Sequence, residues 1–311
     1  MNRVLLPLLP LLPLLPLLAA IATVIPFNAL ANPASGIDEM TIIGSKLDVR
    51  KVAGSGAVID NDQIAIEVST DINQLLKTVS GVYVREEDGY GLRPNFGIRG
   101  ATSERSEKVT LMEDGVLIAP APYSNPAAYY FPTTMRMNGV EILKGAPLLR
   151  HGPQTVGGVI NMITTAIPES NAGSAIFAVG ENNAVDLLAS YGGRSGAVGW
   201  LVETVQREND GFKDIDRSSR DSGYDIEDYM GKLAWEGKSQ SILFKAQRSE
   251  ETSNETYLGL TDADFSRNQN RRYGLSSIDE MNNKHGGYNL GHKLNVNDTT
   301  ALTTTAYYNK F

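Results

Sequence analysis

From Ser174 to Phe311 the chain reads as seven segments in which apolar and polar side chains alternate. This period of two constrains the fold more than any other feature. The segments are SAIFAVG, VDLLASYGG, AVGWLVETVQ, YMGKLAWEG, SILFKAQRSE, GYNLGHKLNV and ALTTTAYYNKF. Successive side chains of a strand point to opposite faces, so GKLAWEG and SILFKAQ each present one apolar face and one bearing Lys, Glu or Gln. A secreted β-sandwich alternates in the same way. The connections favour a barrel: Arg207 to Asp228 and Glu250 to Lys284 contain long polar stretches, whereas other connections are very short. Long loops at one end and short turns at the other mark a transmembrane barrel. Tyr191, Trp200, Tyr229, Trp235, Tyr307 and Tyr308 then read as interfacial aromatic girdles.

The chain opens with MNR and an almost wholly apolar run from Val4 to Ile25. Ala29-Leu30-Ala31 follows, the small-x-small pattern of a signal-peptidase site. The run has the roughly 20 residues a bilayer span needs, but prolines at 7, 10, 13 and 16 each remove a helix hydrogen bond. Residues 1–31 therefore read as a cleaved secretory signal. Beyond them, apolar runs are short and broken by glycine or charge, which suits a barrel or a soluble chain rather than a helical span. With no cysteine, disulfides and thiolate sites are excluded. A formal net charge of −8 argues against nonspecific nucleic-acid binding. His151, His285 and His292 share no metal or catalytic spacing, and neither G-x-S-x-G nor H-E-x-x-H occurs, so the chain does not read as an enzyme. Asp60-x-Asp62 is followed by Gln63-Ile64, which breaks the calcium-loop pattern. Glu86-Glu87-Asp88 reads as an exposed loop.

Between these two regions, residues 32–45 form a short flexible lead and residues 46–168 a mixed α/β unit, with residues 169–311 read as an incomplete β-barrel. Ser69-Thr70-Asp71 offers helix N-caps; Ile72, Leu75, Leu76 and Val79 form an apolar stripe, and Gly81 is a natural stop. VTLMEDGVLI (109–118) places two β-rich runs around Asp114-Gly115, a hairpin signal. FGIRG (96–100), GVEIL (139–143) and GGVINMIT (157–164) are expected to complete one small sheet. The glycines of GAPLLRHGPQTVGG fit neither phosphate-binding fingerprint; Gly157 and Gly158 read instead as points of close packing.

In this order, LLKTVSGVYV, GLRPNFGIRG, VTLMEDGVLIAPAPYSNPAAYYFPTT and VEILKGAPLLRHGPQTVGGVINMITTAIPE resemble the plug of a TonB-dependent outer-membrane receptor of the ferric-dicitrate type. NETYLGLTDADF and the following Arg271-Arg272-Tyr273 are similar to a loop of the same branch. The resemblance implies a mixed α/β plug followed by the first strands of an antiparallel transmembrane β-barrel of about 22 strands. Seven strands cannot close such a barrel, and an open edge in lipid leaves backbone groups unpaired, so the expectation is an N-terminal portion of a receptor, from a truncated or split reading frame. Only a few residues separate Ala31 from Asp38, so a signalling domain ahead of the plug is not expected.

The function implied is active transport of a ferric, citrate-like chelate across the outer membrane. Partners would be TonB with its inner-membrane energising complex, the chelate and outer-membrane lipid. No resident cofactor or metal is implied, because iron enters only as chelated ligand. A passive porin or structural barrel without energy coupling is the alternative, and it would need neither plug nor TonB box. Asp38, Glu39, Met40, Thr41, Ile42 and Ile43 resemble such a box, a short segment able to add as a strand to a partner's sheet edge. An anionic chelate calls for arginines: Arg93 and Arg105 are the apical candidates, with Gln154 as hydrogen-bonding partner and Arg271 and Arg272 from a barrel loop. Arg99, inside the GIRG strand pattern, is implied to latch the plug to barrel acids.

Overall fold

The computed structural model describes Ile43, Val49 and residues 54–67, 70–118, 129–145, 156–254, 256 and 258–311. The signal segment, Asp38 to Ile42 and Gln154 lie outside these residues.

The mixed unit is built on a five-stranded sheet. Its strands are β1 (Ser55–Ile59), β4 (Val109–Glu113), β5 (Val116–Leu117), β6 (Met137–Lys144) and β7 (Gly158–Thr164), in the order β1-β6-β7-β4-β5. Only β4 and β7 run parallel. The Asp114-Gly115 signal is realised as a hairpin: Glu113 pairs with Val116, and both turn residues take positive φ, 48° and 74°, as a type I′ turn requires. Helix α1 (Asn61–Glu67) carries the Asp-x-Asp stretch, and α2 (Ile72–Lys77) is the helix expected from the apolar stripe. The Asp71 carboxylate caps α2 by accepting from the Asn73 N–H at 2.8 Å. Ile72, Leu75, Leu76 and Val79 pack against Val109, Leu111, Val140, Ile142, Ile160 and Met162 to form the main core.

One expectation is corrected. FGIRG does not join this sheet; β3 (Asn95–Ile98) pairs only with β2 (Val82–Arg85). Arg99 and Gly100 both take positive φ and turn the chain away, while a side chain at Gly97 would meet the Ala101 carbonyl at 2.4 Å. The place in the sheet goes to SGAVI, whose strand β1 was not expected from the sequence. At the other end, Gly157 and Gly158 do pack closely: a Cβ would approach the Lys108 carbonyl at 2.7 Å and the Leu143 carbonyl at 2.9 Å.

All seven alternating segments form strands. They are β8 (Ala172–Val179), β9 (Val185–Ser195), β10 (Val198–Asn209), β12 (Tyr224–Glu236), β13 (Gln240–Ser253), β15 (Met281–Asn297) and β16 (Thr300–Lys310). They make one antiparallel sheet, β8-β9-β10-β12-β13-β15-β16. Residues 210–223 and 254–280 connect strands at one end, against turns of two or three residues at 196–197, 237–239 and 298–299 at the other. The long connections join through two short parallel strands, β11 (Asp214–Ile215) and β14 (Arg271–Arg272), and the second also carries helix α3 (Asp262–Arg267).

Parity divides the sheet's faces. Leu201, Glu203, Val205 and Arg207 are buried toward the plug, whereas Val198, Val202, Trp235, Ile242, Phe244, Tyr288 and Leu290 are exposed on the outer face. From Trp235 to Tyr229 this face covers about 20 Å of strand, near the ~25 Å apolar band of such barrels. Asp225, Glu227, Arg248 and Lys284 then continue it toward the long loops. Five of the six girdle aromatics face outward. Tyr307 does not: it is in register with the buried Asn289, and two residues on Asn309 Nδ2 donates to the Leu117 carbonyl of the plug at 2.8 Å.

Candidate functional site: an apical cleft above a buried ion lattice

An open cleft of about 480 Å³ lies at the long-loop end. The plug supplies Arg85, Glu87, Asp88 and Arg93; Lys213 comes from one long connection, and Leu258, Asp262, Phe265 and Arg272 from the other. The local sequence explains its floor. Asp88 is buried and accepts backbone N–H groups from Tyr90 at 2.5 Å, Leu92 at 3.3 Å and Arg93 at 2.8 Å, so the acidic triplet is not simply the exposed loop expected. Its carboxylate folds residues 88–93 into a tight turn. Tyr90 then reaches across: its hydroxyl accepts from the Phe212 N–H at 3.1 Å, and Lys213 sits 5.7 Å over its ring.

The five arginines named from sequence meet different fates. Arg93 lines the cleft but is 1% exposed, and its guanidinium is held by both oxygens of Glu251 on β13, at 3.1 and 2.5 Å. It ties plug to barrel. Arg105 lies behind the cleft wall, bonded to Glu87 at 2.7 Å and over the Tyr129 ring. Arg271 is engaged by Asp216 at 2.9 Å and Asp264 at 2.8 Å; the hydrogen bonds around the two carboxyls hold both below their usual range, from Arg271 at Asp216 and from Tyr273 and Thr261 at Asp264. Arg272 points into the cleft. Its Nε donates to Thr256 Oγ1 at 3.1 Å and its Nη1 to the carbonyls of Gln269 and Arg271 at 2.9 and 2.7 Å. Among the described residues no carboxylate pairs with it, and burial lowers its pKa. Arg99 is exposed one residue past β3 rather than inside a strand, and no described carboxylate pairs with it.

Arg136, like Arg93, joins plug to barrel. Arg136, 1% exposed, clasps Glu113 at 2.9 and 2.8 Å and ion-pairs with Asp228 of β12 at 3.2 Å. Lys245 of β13 reaches Glu113 at 2.7 Å and Asp114 at 2.5 Å. Asp114 also accepts from the Thr164 N–H at 3.0 Å and from its hydroxyl at 2.7 Å. Lys232 donates to the Thr165 carbonyl at 2.7 Å, and the Thr165 hydroxyl to Glu203 at 2.6 Å. Burial pushes the Glu113 carboxyl up, but Arg136 and Lys245 pull harder and hold it at about 2. Asp114 is held below its usual range, as Lys245 and Lys232 overcome its burial.

Sequence reasoning missed this lattice. The available signal was lysine at inward parity in GKLAWEG and ILFKAQ, beside an acidic Glu113-Asp114 at a hairpin tip. Which plug acids those lysines meet depends on how the two units dock.

The geometry has counterparts. Residues 48–159 match the TonB-dependent Receptor Plug Domain family model. The vitamin B12 transporter BtuB of Photobacterium profundum is 25% identical over 191 residues, 60% of this chain and 31% of that protein. Among solved structures, the ferric citrate transporter FecA in its unliganded form aligns with a TM-score of 0.73 at 22% identity, over 86% of this chain and 41% of that one. The ferric yersiniabactin uptake receptor FyuA of Yersinia pestis aligns with a TM-score of 0.68 at 17% identity, over 84% of this chain and 41% of its own. The chain thus spans between 31% and 41% of the length of these relatives. Residues 48–159 are thus a plug domain of the TonB-dependent receptor type, and the strand meander that follows shares its fold with part of those receptors' β-barrel.

Proposed function

We propose that the receptor takes up an anionic ferric chelate of the citrate type across the outer membrane, drawing on TonB and its inner-membrane energising complex. The observation that carries this reading is Arg272, a cation in the apical cleft with no described carboxylate partner. Neutral acceptors hold its guanidinium in place and leave its charge for a carboxylate-bearing ligand. Arg85 adds a second positive charge at the rim, and Phe265 an apolar surface. Iron is cargo here, reaching the protein only inside its chelator. A passive porin is disfavoured, because a plug held to the barrel sheet by buried ion pairs would obstruct diffusion. The plug must instead be moved, and the segment ending in Ile43 is where TonB would pull.

Binding of ferric dicitrate to the receptor in detergent, followed by tryptophan quenching, tests this ligand class. Arg272→Gln is expected to weaken binding about tenfold or more, with cyanocobalamin unable to compete. Equal binding by parent and variant, or displacement by cyanocobalamin, overturns the citrate assignment.

A further inference from the structure

Two polar side chains stand side by side on a sheet face whose other described residues, Thr110 apart, are apolar. Glu141 of β6 and Asn161 of β7 are register partners and are both buried, beside a cluster of Ile43, Met112, Leu143 and Val159. Glu141 Oε1 accepts the backbone N–H of Ile43 at 2.8 Å, and its Oε2 accepts from Asn161 Nδ2 at 2.9 Å. Asn161 Oδ1 accepts the backbone N–H of Gly115 at 2.8 Å. Gly115 shares its turn with Asp114, which holds Lys245 of the barrel wall. One continuous polar path therefore runs from the segment ahead of the plug, through the sheet, to the barrel. A buried carboxylate or amide that loses one of its partners bears more of its desolvation cost, so a break at one end disfavours the arrangement of the next group.

We propose that Glu141 and Asn161 are positioning residues that couple the backbone at Ile43 to the plug–barrel ion lattice. Drawing Ile43 away removes a donor from Glu141 and frees Asn161 to reorient. The Gly115 N–H then loses its acceptor, and the turn that presents Asp114 to Lys245 loosens. The same path works in reverse from the barrel end. Its purpose rests on the uptake reading, since a pull on the leading segment would reach the barrel through these two side chains; its existence is tested without that reading.

The chain contains no cysteine, so Ile43→Cys provides a single thiol in the full chain. Its rate of maleimide modification, in outer-membrane vesicles without chelate or TonB, reports opening at that position. The parent rate is expected to be slow. Asn161→Leu at one link and Lys245→Met at the far end should each speed it by roughly tenfold. Tyr90→Phe, which removes a separate plug–barrel contact, should leave it unchanged. An unchanged rate in Lys245→Met overturns the coupling, as does equal acceleration by Tyr90→Phe, which would indicate general loosening. Assembly of each variant is checked by heat-modifiable gel migration, with Asn161→Asp and Lys245→Gln replacing any variant that does not assemble. Failure here leaves chelate uptake standing, and failure of chelate binding leaves the coupling standing.

Discussion

The ion lattice around Arg136 and the cleft around Arg272 both ring an arginine with oxygen acceptors, yet they differ in what remains available. At Arg136 the guanidinium meets two carboxylates, and Glu113 also holds Lys245. At Arg272 the oxygens come from a hydroxyl and two backbone carbonyls, so among the described residues the cation is oriented without being paired to a carboxylate. A buried arginine whose charge is already matched is structural, whereas an oriented arginine with unmatched charge can recognise an anion.

The sharpest way to break this contrast is to remove one cation from each region. Arg136→Ala leaves Glu113 and Asp228 buried without their common partner and should destabilise the protein by about 3–5 kcal/mol, read as a lowered thermal unfolding midpoint. Arg272→Gln should change stability by no more than about 0.5 kcal/mol while weakening chelate binding. Comparable unfolding midpoints in the two variants would erase the distinction.

Acid sharpens the comparison next. Glu113 is depressed from 4.5 to about 2, and Asp114 shifts in the same direction. A depressed carboxyl stabilises the fold fully above its unfolded pKa, so the contribution of Glu113 and Asp114 should be intact above pH 4.5 and lost as the pH falls toward about 2. Protease susceptibility of the plug, measured across that window, should rise only there; a rise already near pH ~6 would assign the transition to other groups. The smallest effect belongs to Arg271→Ala. Its contacts to Asp216 and Asp264 are largely solvent-exposed, so global stability should hold while proteolysis within residues 254–280 becomes faster.

What the sequence made legible was local. The α2 stripe, the Asp114-Gly115 turn and the seven alternating strands are each written in neighbouring residues, through a cap, two left-handed turn positions or a period of two. The lattice joins residues far apart, with Lys245 meeting Asp114 across 131 positions and Arg93 meeting Glu251 across 158. No periodicity records such a meeting. For that reason Arg93 was legible as an apical arginine but not as one already occupied, and Arg136 was not singled out. Arg272 was singled out because the loop motif that carries the resemblance is itself local.

The parallel pairing of Asp214–Ile215 with Arg271–Arg272 carries a consequence for how this surface can change. It splices two loops from different hairpins into a single flap, so neither can lengthen or shift register alone without disturbing the other. An insertion within residues 210–223 would shift Arg272 through this pairing without altering its own loop. Divergence in cargo preference should therefore proceed first through side-chain replacement at the cleft, with the two loops changing length only in concert.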